Sequence, residues 1–332
     1  MRRRLFAIVF VLLVASSAVP LRASWGGPGP GAVRLAAVGD ILLDRGVRAA
    51  IATHGPDYPF EAARNLWKDA ELVFGNLETP LSRRGSPVLK QFTFCGDPEY
   101  GRALSRAGFN VLSLANNHTL DYGRDALLDT VTTLRREGIE PVGAGRNKKE
   151  ALRPAVVAVK GLRVALVGFT AFPLEGLIPD DDLPRTAYAA EEEVRAAIEA
   201  ARRKADLVVA SFHWGIEFSP YPSRRQVQLA HLAVDSGASV VVGHHPHVLQ
   251  GVERYRGAVI LYSLGNFVFD QSRRDTRETA IAVLDLNRSG VQRVEFRPLL
   301  ITRAQPRPVG REEGQAILTH LRPVPTGAGS AR

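Results

Sequence analysis

The chain has 332 residues, 45% of them hydrophobic and 23% charged, a composition that excludes a disordered chain, a collagen and a polytopic membrane protein. Its 43 Lys and Arg exceed 34 Asp and Glu, for a net charge of +9, yet Arg2, Arg3, Arg4 and Arg22 all lie in the first 23 residues. The milder excess that remains is spread along the chain, which argues against nucleic acid and suits an anionic substrate. One cysteine, Cys95, excludes an intramolecular disulfide framework, a zinc finger and a CxxC redox site.

Arg2–Arg4 precede an apolar run, Leu5–Val14, and then the small residues Ala15–Ala18, with a further small residue at Ala23. This order predicts an export signal, or an N-terminal anchor, over residues 1–23, which places the folded part in the periplasm or outside the cell. Residues 24–32 carry WGGPGPG and read as a linker. From Val33 the chain alternates β-branched runs with helical patterns. Strands are predicted at Val33–Val38, Leu72–Gly75, Val111–Leu114, Ala155–Val159, Val164–Val167, Leu207–Phe212, Val240–Val242 and Val259–Tyr262, followed by a hairpin of Ala280–Asp285 and Val291–Arg297. Helices fit Pro98–Ala107, Arg124–Glu137, Glu191–Lys204 and Ser223–Asp235. The alternation implies an α/β domain over 33–302 with mainly parallel pairing. Residues 303–332 read as a peripheral tail with a short helix at Arg311–Leu321.

Ligands of open α/β sheets bind beyond the carboxyl ends of the strands, and five predicted strands run straight into polar residues. They deliver Asp40; Asn76 and Glu78; Asn116, Asn117 and His118, with Asp121 behind; His213 and Glu217; and His244, His245 and His247. A lone aspartate after a strand is ordinarily a helix cap. Five such ends, offering carboxylates, amides and imidazoles without thiolate, suit a divalent transition metal, Mn, Fe or Zn. In His245-Pro246-His247 two imidazoles at i and i+2 would project to one side of an extended segment stiffened by proline, with His244 turned the other way as a bracing residue. His231 lies on an amphipathic helix and reads as core or surface, and His54 and His320 carry no motif. No G-x-S-x-G elbow or GK[ST] phosphate loop occurs, and Gly143–Asn147 lacks the third glycine of a dinucleotide fingerprint.

The motifs VGD (38–40), GNLETPL (75–81), LANNHTLDYG (114–123), FHWGIE (212–217), GHHPHVLQ (243–250) and SLGNFVFD (263–270) resemble, in order, those of the CapA family of capsule and poly-γ-glutamate synthesis proteins. That family is similar to the calcineurin-like metallophosphoesterases. The resemblance implies a sandwich of two mixed β-sheets flanked by helices. It makes Asp40, Asn117, His213, His245 and His247 metal ligands and His118 the residue that protonates a leaving group or holds a phosphoryl oxygen. Asn76 stands where the enzymes have a bridging aspartate, so Glu78 is taken as the acidic ligand. Leu42 stands where they have a histidine, a loss for which Asp44 or Glu217 could compensate. Asn76, Asn116, Asp121, Glu217, His244 and Asn266 are further candidates for ligands or their supports.

Two functions follow from this reading. One is metal-dependent hydrolysis or transfer on an ester or amide outside the cytoplasm, with His118 as acid. The other is a non-catalytic part of a membrane-bound polymer synthesis complex whose metal cleft holds an anionic chain such as polyglutamate.

Overall fold

A computed structural model describes residues 31–174, 177–178 and 180–324. The expected export segment and most of the linker lie outside the described residues. In chain order the strands are β1 (Val33–Ile41), β2 (Leu72–Leu77), β3 (Val111–Ser113), β4 (Glu140–Val142), β5 (Ala144–Gly145), β6 (Ala155–Val159), β7 (Leu162–Thr170), β8 (Arg185–Thr186), β9 (Leu207–His213), β10 (Val240–His244), β11 (Val252–Tyr255), β12 (Ala258–Leu261), β13 (Asn266–Val268), β14 (Glu278–Asn287), β15 (Gly290–Thr302) and β16 (Gln305–Pro308).

Two mixed sheets result. The larger has the order β16–β15–β14–β1–β2–β3–β4, with β13 beside the end of β1. In it β1 to β4 are parallel and β14 to β16 antiparallel. The smaller, β11–β12–β10–β9–β7–β6, has a parallel centre and one antiparallel strand at each edge. The expected parallel alternation therefore holds for the centre of each sheet, and hairpins close the margins.

Strands covered on both faces need apolar residues at every position, which is why the central ones read as unbroken runs rather than alternations. Val33, Leu35 and Ala37 of β1 face Val209, Val242 and Leu261 between the sheets. The intervening Ala36 and Val38 pack outward with Leu104, Leu127 and Leu134 of the helices Tyr100–Ala107 and Gly123–Arg136. On the other flank, Val208, Ala210 and Val241 meet Val194, Ile198, Leu229 and Ala233 of the helices Glu191–Arg202 and Arg224–Asp235. The layers run helix, sheet, sheet, helix. No helix among the described residues is long and apolar enough to cross a membrane.

Residues 303–324 are not peripheral. β16 extends the larger sheet, Ile317 and Leu321 are buried between the sheets, and Pro323 bridges to Val252. The sequence conceals this because an edge strand containing prolines has no alternation to betray it. The helix there ends at Leu318, followed by a 3-10 turn at Thr319–Leu321.

The parallel strands of both sheets end on the same side, and register fixes which residues meet. Asp40 lies opposite Asn76 on β2 and Asn266 on β13, and His244 lies opposite His213 on β9. Gly39 and Gly243 permit the convergence, since a Cβ on either would overlap a neighbouring carbonyl, of Gly265 and of Tyr262 respectively.

Candidate metal centre

The strand ends build a buried polar pocket around Glu78. This carboxylate is fully buried, and neither of its oxygens has a hydrogen-bond partner among the described residues. Its Oε1 lies 3.8 Å from His118 Nε2, 3.8 Å from His213 Nε2 and 4.0 Å from His247 Nε2. Burial, reinforced by the charges of Asp40, Glu217 and Asp121, pushes its pKa well above the usual carboxylate range. A native fold rarely leaves such a group unpartnered, and a cation facing it resolves the cost.

The donors around it form two overlapping groups, Glu78–His213–His245 and Asp40–Glu78–His247, each with ligand atoms within 4.8 Å of one another. Bonds of about 2.0–2.2 Å to one ion put tetrahedral donors roughly 3.3–3.6 Å apart. His213 Nε2 is 3.2 Å from His245 Nδ1 and 2.9 Å from the Asn117 amide oxygen, so three donors already crowd one point. Glu78 is common to both groups. The donor set, neutral imidazoles with carboxylates and an amide oxygen, fits Mn, Fe or Zn.

Burial and the neighbouring imidazoles keep the histidines uncharged. His213 is held well below its ordinary pKa by burial and by His245, and His245 is pushed down to about 3 by burial and by His247. An uncharged imidazole is the form that binds a metal. Burial works against ionisation of Asp40, but the adjacent His244, His247 and the His245 backbone amide outweigh it and keep the carboxyl below its ordinary value.

Neighbours orient this set. Asn266 donates to Thr276 O (2.9 Å) and Gln271 Oε1 (3.0 Å), which turns its own oxygen to His247 Nδ1 at 2.9 Å and leaves His247 Nε2 facing Glu78. Asp121 takes His118 Nδ1 at 2.7 Å, and Phe94 stacks on the ring at 4.1 Å, so His118 Nε2 also faces Glu78. His244 is fully buried and brings Nδ1 to 3.3 Å from Asp40. It lies beside Asp40 and Phe74, with neither ring nitrogen in a hydrogen bond among the described residues.

Several sequence expectations need correction. The His245-Pro246-His247 segment is not extended: His245 has φ 95° and His247 φ 58°, a left-handed geometry unfavourable for both. The two rings converge because this strained turn aims them, not because of strand alternation. Asn76 spends its amide on Asp40 (2.8 Å) and accepts from Asn116, while Asn116 also donates to Leu77 O and accepts from His118 N. Both amides are tied into this network, Asn116 with its oxygen accepting twice, from His118 N and Thr119 Oγ1, and Asn76 with its oxygen accepting once. Asp44 caps the helix Arg45–His54 and holds Cys95 N, so it cannot compensate for Leu42. Leu42 itself packs with Phe94, Phe269 and Ile301 as an apolar wall.

The model of the bacterial capsule synthesis protein family PGA_cap matches residues 34–271. The chain belongs to that family. The capsule biosynthesis protein CapA of Bacillus anthracis is 36% identical over 280 residues, 82% of this chain and 68% of that protein. The PGA biosynthesis protein CapA of Bacillus subtilis is also 36% identical, over 83% of this chain and 73% of its own length. A hypothetical protein from Thermus thermophilus superposes with a TM-score of 0.52 at 17% identity, over 81% of this chain and all of that one, and shares the fold.

In this PGA_cap chain the structure also adds residues to which the sequence assigned no role. Lys90, with a side chain only 10% exposed, donates to Asn117 O (2.7 Å) and pairs with Asp121 (2.9 Å), tying the loop after β2 to the His118 dyad. Phe172 lies 4.2 Å from the His245 ring and Phe269 4.9 Å from that of His247, giving the pocket apolar walls. Lys90 and Phe172 lie outside every motif and only the fold reveals them, whereas Phe269 belongs to the SLGNFVFD motif without a role assigned to it there. His231 is outside the pocket, bonded to Glu253 and stacked on Tyr255.

Proposed function

We propose that this PGA_cap protein acts outside the cytoplasm in capsule or polyglutamate production, as a metal-dependent hydrolase or transferase acting on an ester or amide of an anionic polymer or its precursor. The observation that carries this reading is the unpartnered, buried Glu78 carboxylate with three imidazole nitrogens turned toward it. The extracytoplasmic setting rests on the basic and apolar pattern of residues 1–23. Membership of the family, and the printed roles of the two Bacillus relatives in capsule and PGA biosynthesis, support the choice of polymer.

Asp40, Glu78, Asn117, His213, His245 and His247 would hold one or two divalent cations. Such cations supply Lewis-acid stabilisation of charge on a reacting oxygen. The chain's own contribution is orientation and proton handling. Phe94, Phe172 and Phe269 limit water. His118, backed by Asp121, presents Nε2 to the pocket without belonging to either ligand group, as befits a proton donor to a leaving group.

A second reading, a binding component that holds the polymer without cleaving it, is favoured by the apolar wall at Leu42 and the spent amide of Asn76, which leave the Asp40 side with fewer donors. The same variants separate the two. His245→Ala and His247→Ala should each lower bound metal by elemental analysis of the purified chain. His118→Ala should keep its metal and reduce turnover of phosphoesters or γ-glutamyl amides by about 10² to 10⁴-fold. Metal-loaded wild type without turnover, yet retaining polyglutamate, would select the second reading. Equal metal in all variants would reassign the histidines to structure.

A further inference from the structure

Three candidates stand outside the buried pocket: the hollow around Tyr221 and Arg322, the arginine-bearing rim around Asp270, and the exposed carboxylate of Glu217. The last is fixed most firmly by geometry. Glu217, His245 and His247 form a third group whose ligand atoms lie within 4.8 Å of one another, and Glu217 is its solvent-facing member.

The loop carrying Glu217 is pinned to the segment carrying the histidines. Phe218 N donates to Pro246 O at 2.8 Å. On the far side the buried Gln250 donates to Ser219 O (2.9 Å) and Tyr221 O (3.1 Å), and is itself held by Gln226 at 2.8 Å. Phe218 adopts φ 63°, a conformation that a loop free to relax would leave. The backbone therefore stations residue 217 over the imidazoles at fixed height, and only its side chain reaches solvent.

Nearby cations do not claim that side chain. Arg45 is paired with Asp270, and Arg273 with Asp275 at 2.6 Å. Glu217 has no hydrogen bond or ion pair among the described residues. Opposite it, Phe269 lies 4.9 Å from the His247 ring and belongs to the same apolar cluster as Leu42, so that wall offers no donor.

We propose that Glu217 is a metal ligand, closing from the solvent side the cation position served by His245 and His247. The assignment rests on the metal-dependent reading above. It gives the centre a carboxylate on a rim loop, where an incoming anionic group could take its place on the cation without disturbing the buried donors.

The test is titration of the metal-free full chain with Mn2+, following the paramagnetic resonance signal of the free ion, for wild type, Glu217→Gln and Glu312→Gln. Glu217 is exposed, so the amide should leave the fold intact, and Glu312 on the C-terminal helix controls for net charge. Loss of one bound ion, or weakening of one by about tenfold or more in Glu217→Gln alone, is expected. Unchanged affinity and stoichiometry in Glu217→Gln, or equal weakening in Glu312→Gln, overturns the assignment while leaving the buried centre standing. Failure of the wild type to bind Mn2+, Fe2+ or Zn2+ overturns both.

Discussion

The larger sheet and its loops bring Asp40, Asn76, Glu78 and Asn117 to the centre, whereas the smaller sheet and the turn after it bring His213, His245 and His247. One side is carboxylate and amide, the other imidazole. Burial drives both toward the uncharged form, but with opposite proton consequences: Glu78 gains a proton more readily, and His213 and His245 lose theirs more readily. The imidazole side is ready to bind a cation as it stands. On the carboxylate side Asp40 is held below its ordinary pKa while Glu78 keeps its proton more tightly than an ordinary carboxyl, so cation binding at Glu78 is linked to pH.

The largest expected effect comes from removing the charge of Glu78 while keeping its shape. Glu78→Gln should weaken divalent-ion binding by about a hundredfold or more, since Glu78 is common to both buried ligand groups. The same variant, stripped of metal by chelator, should be as stable as wild type or more stable by roughly 1–3 kcal/mol at pH 8, because an unpartnered buried carboxylate is lost. Elemental analysis and calorimetry check the two signs. Metal retained by Glu78→Gln would remove Glu78 from the ligand set.

A smaller effect separates the two sides by pH in the metal-free chain. His213 and His245 have folded pKa values below the ordinary 6.5, about 3 for His245, so below 6.5 the unfolded chain binds protons that the folded chain refuses. Stability should fall on that side as pH drops from 6.5 toward 3. Glu78 has a folded pKa well above 4.5, so from 4.5 upward the unfolded chain releases a proton that the folded chain keeps. Stability should fall on that side as pH rises. Above pH 6.5 the imidazole slope is exhausted, so any fall that continues there belongs to the second, and it should vanish in Glu78→Gln. Denaturant midpoints in chelator across pH 4–8.5 measure both slopes, and a fall with rising pH that persists unchanged in Glu78→Gln would remove Glu78 as its source.

The same contrast shows what was legible in the sequence. An apolar run followed at once by Asp40, His213 or His244 marks a buried strand opening into a site, because both features are written in consecutive residues. The polar residues just beyond those runs supplied the other candidates, and the family motifs added Asn266 and the roles. What residue identity cannot show is which lone pairs are already spent. Asn76, Asn116 and Asn117 look alike as letters, yet hydrogen bonds through both ends commit the first two to structure, and only Asn117 keeps its oxygen against His213. Lys90 and Phe172 enter through loops with no periodicity, so their proximity is purely tertiary. His245 and His247 converge through positive φ at both residues, which a Pro-stiffened His-Pro-His read as extended chain does not disclose.

The smallest expected effect tests whether metal loss in any of these variants reports ligation or mere loosening of the fold. His231 belongs to the helix Arg224–Asp235, behind the smaller sheet and away from the strand ends. Its ring stacks on Tyr255 at 3.9 Å and bonds the buried Glu253 at 3.0 Å. Removing it leaves Glu253 bound to the Tyr262 hydroxyl at 2.6 Å, so the carboxylate is not stranded. His231→Ala should therefore cost about 0.5–1.5 kcal/mol, a hydrogen bond and a stacking contact at a half-exposed position. Its bound metal should equal that of wild type. A denaturant midpoint and elemental analysis on one preparation decide the matter. If His231→Ala lost metal in step with His245→Ala, metal content would be tracking global stability, and the contrast between the ligand-bearing strand ends and the rest of the smaller sheet would collapse.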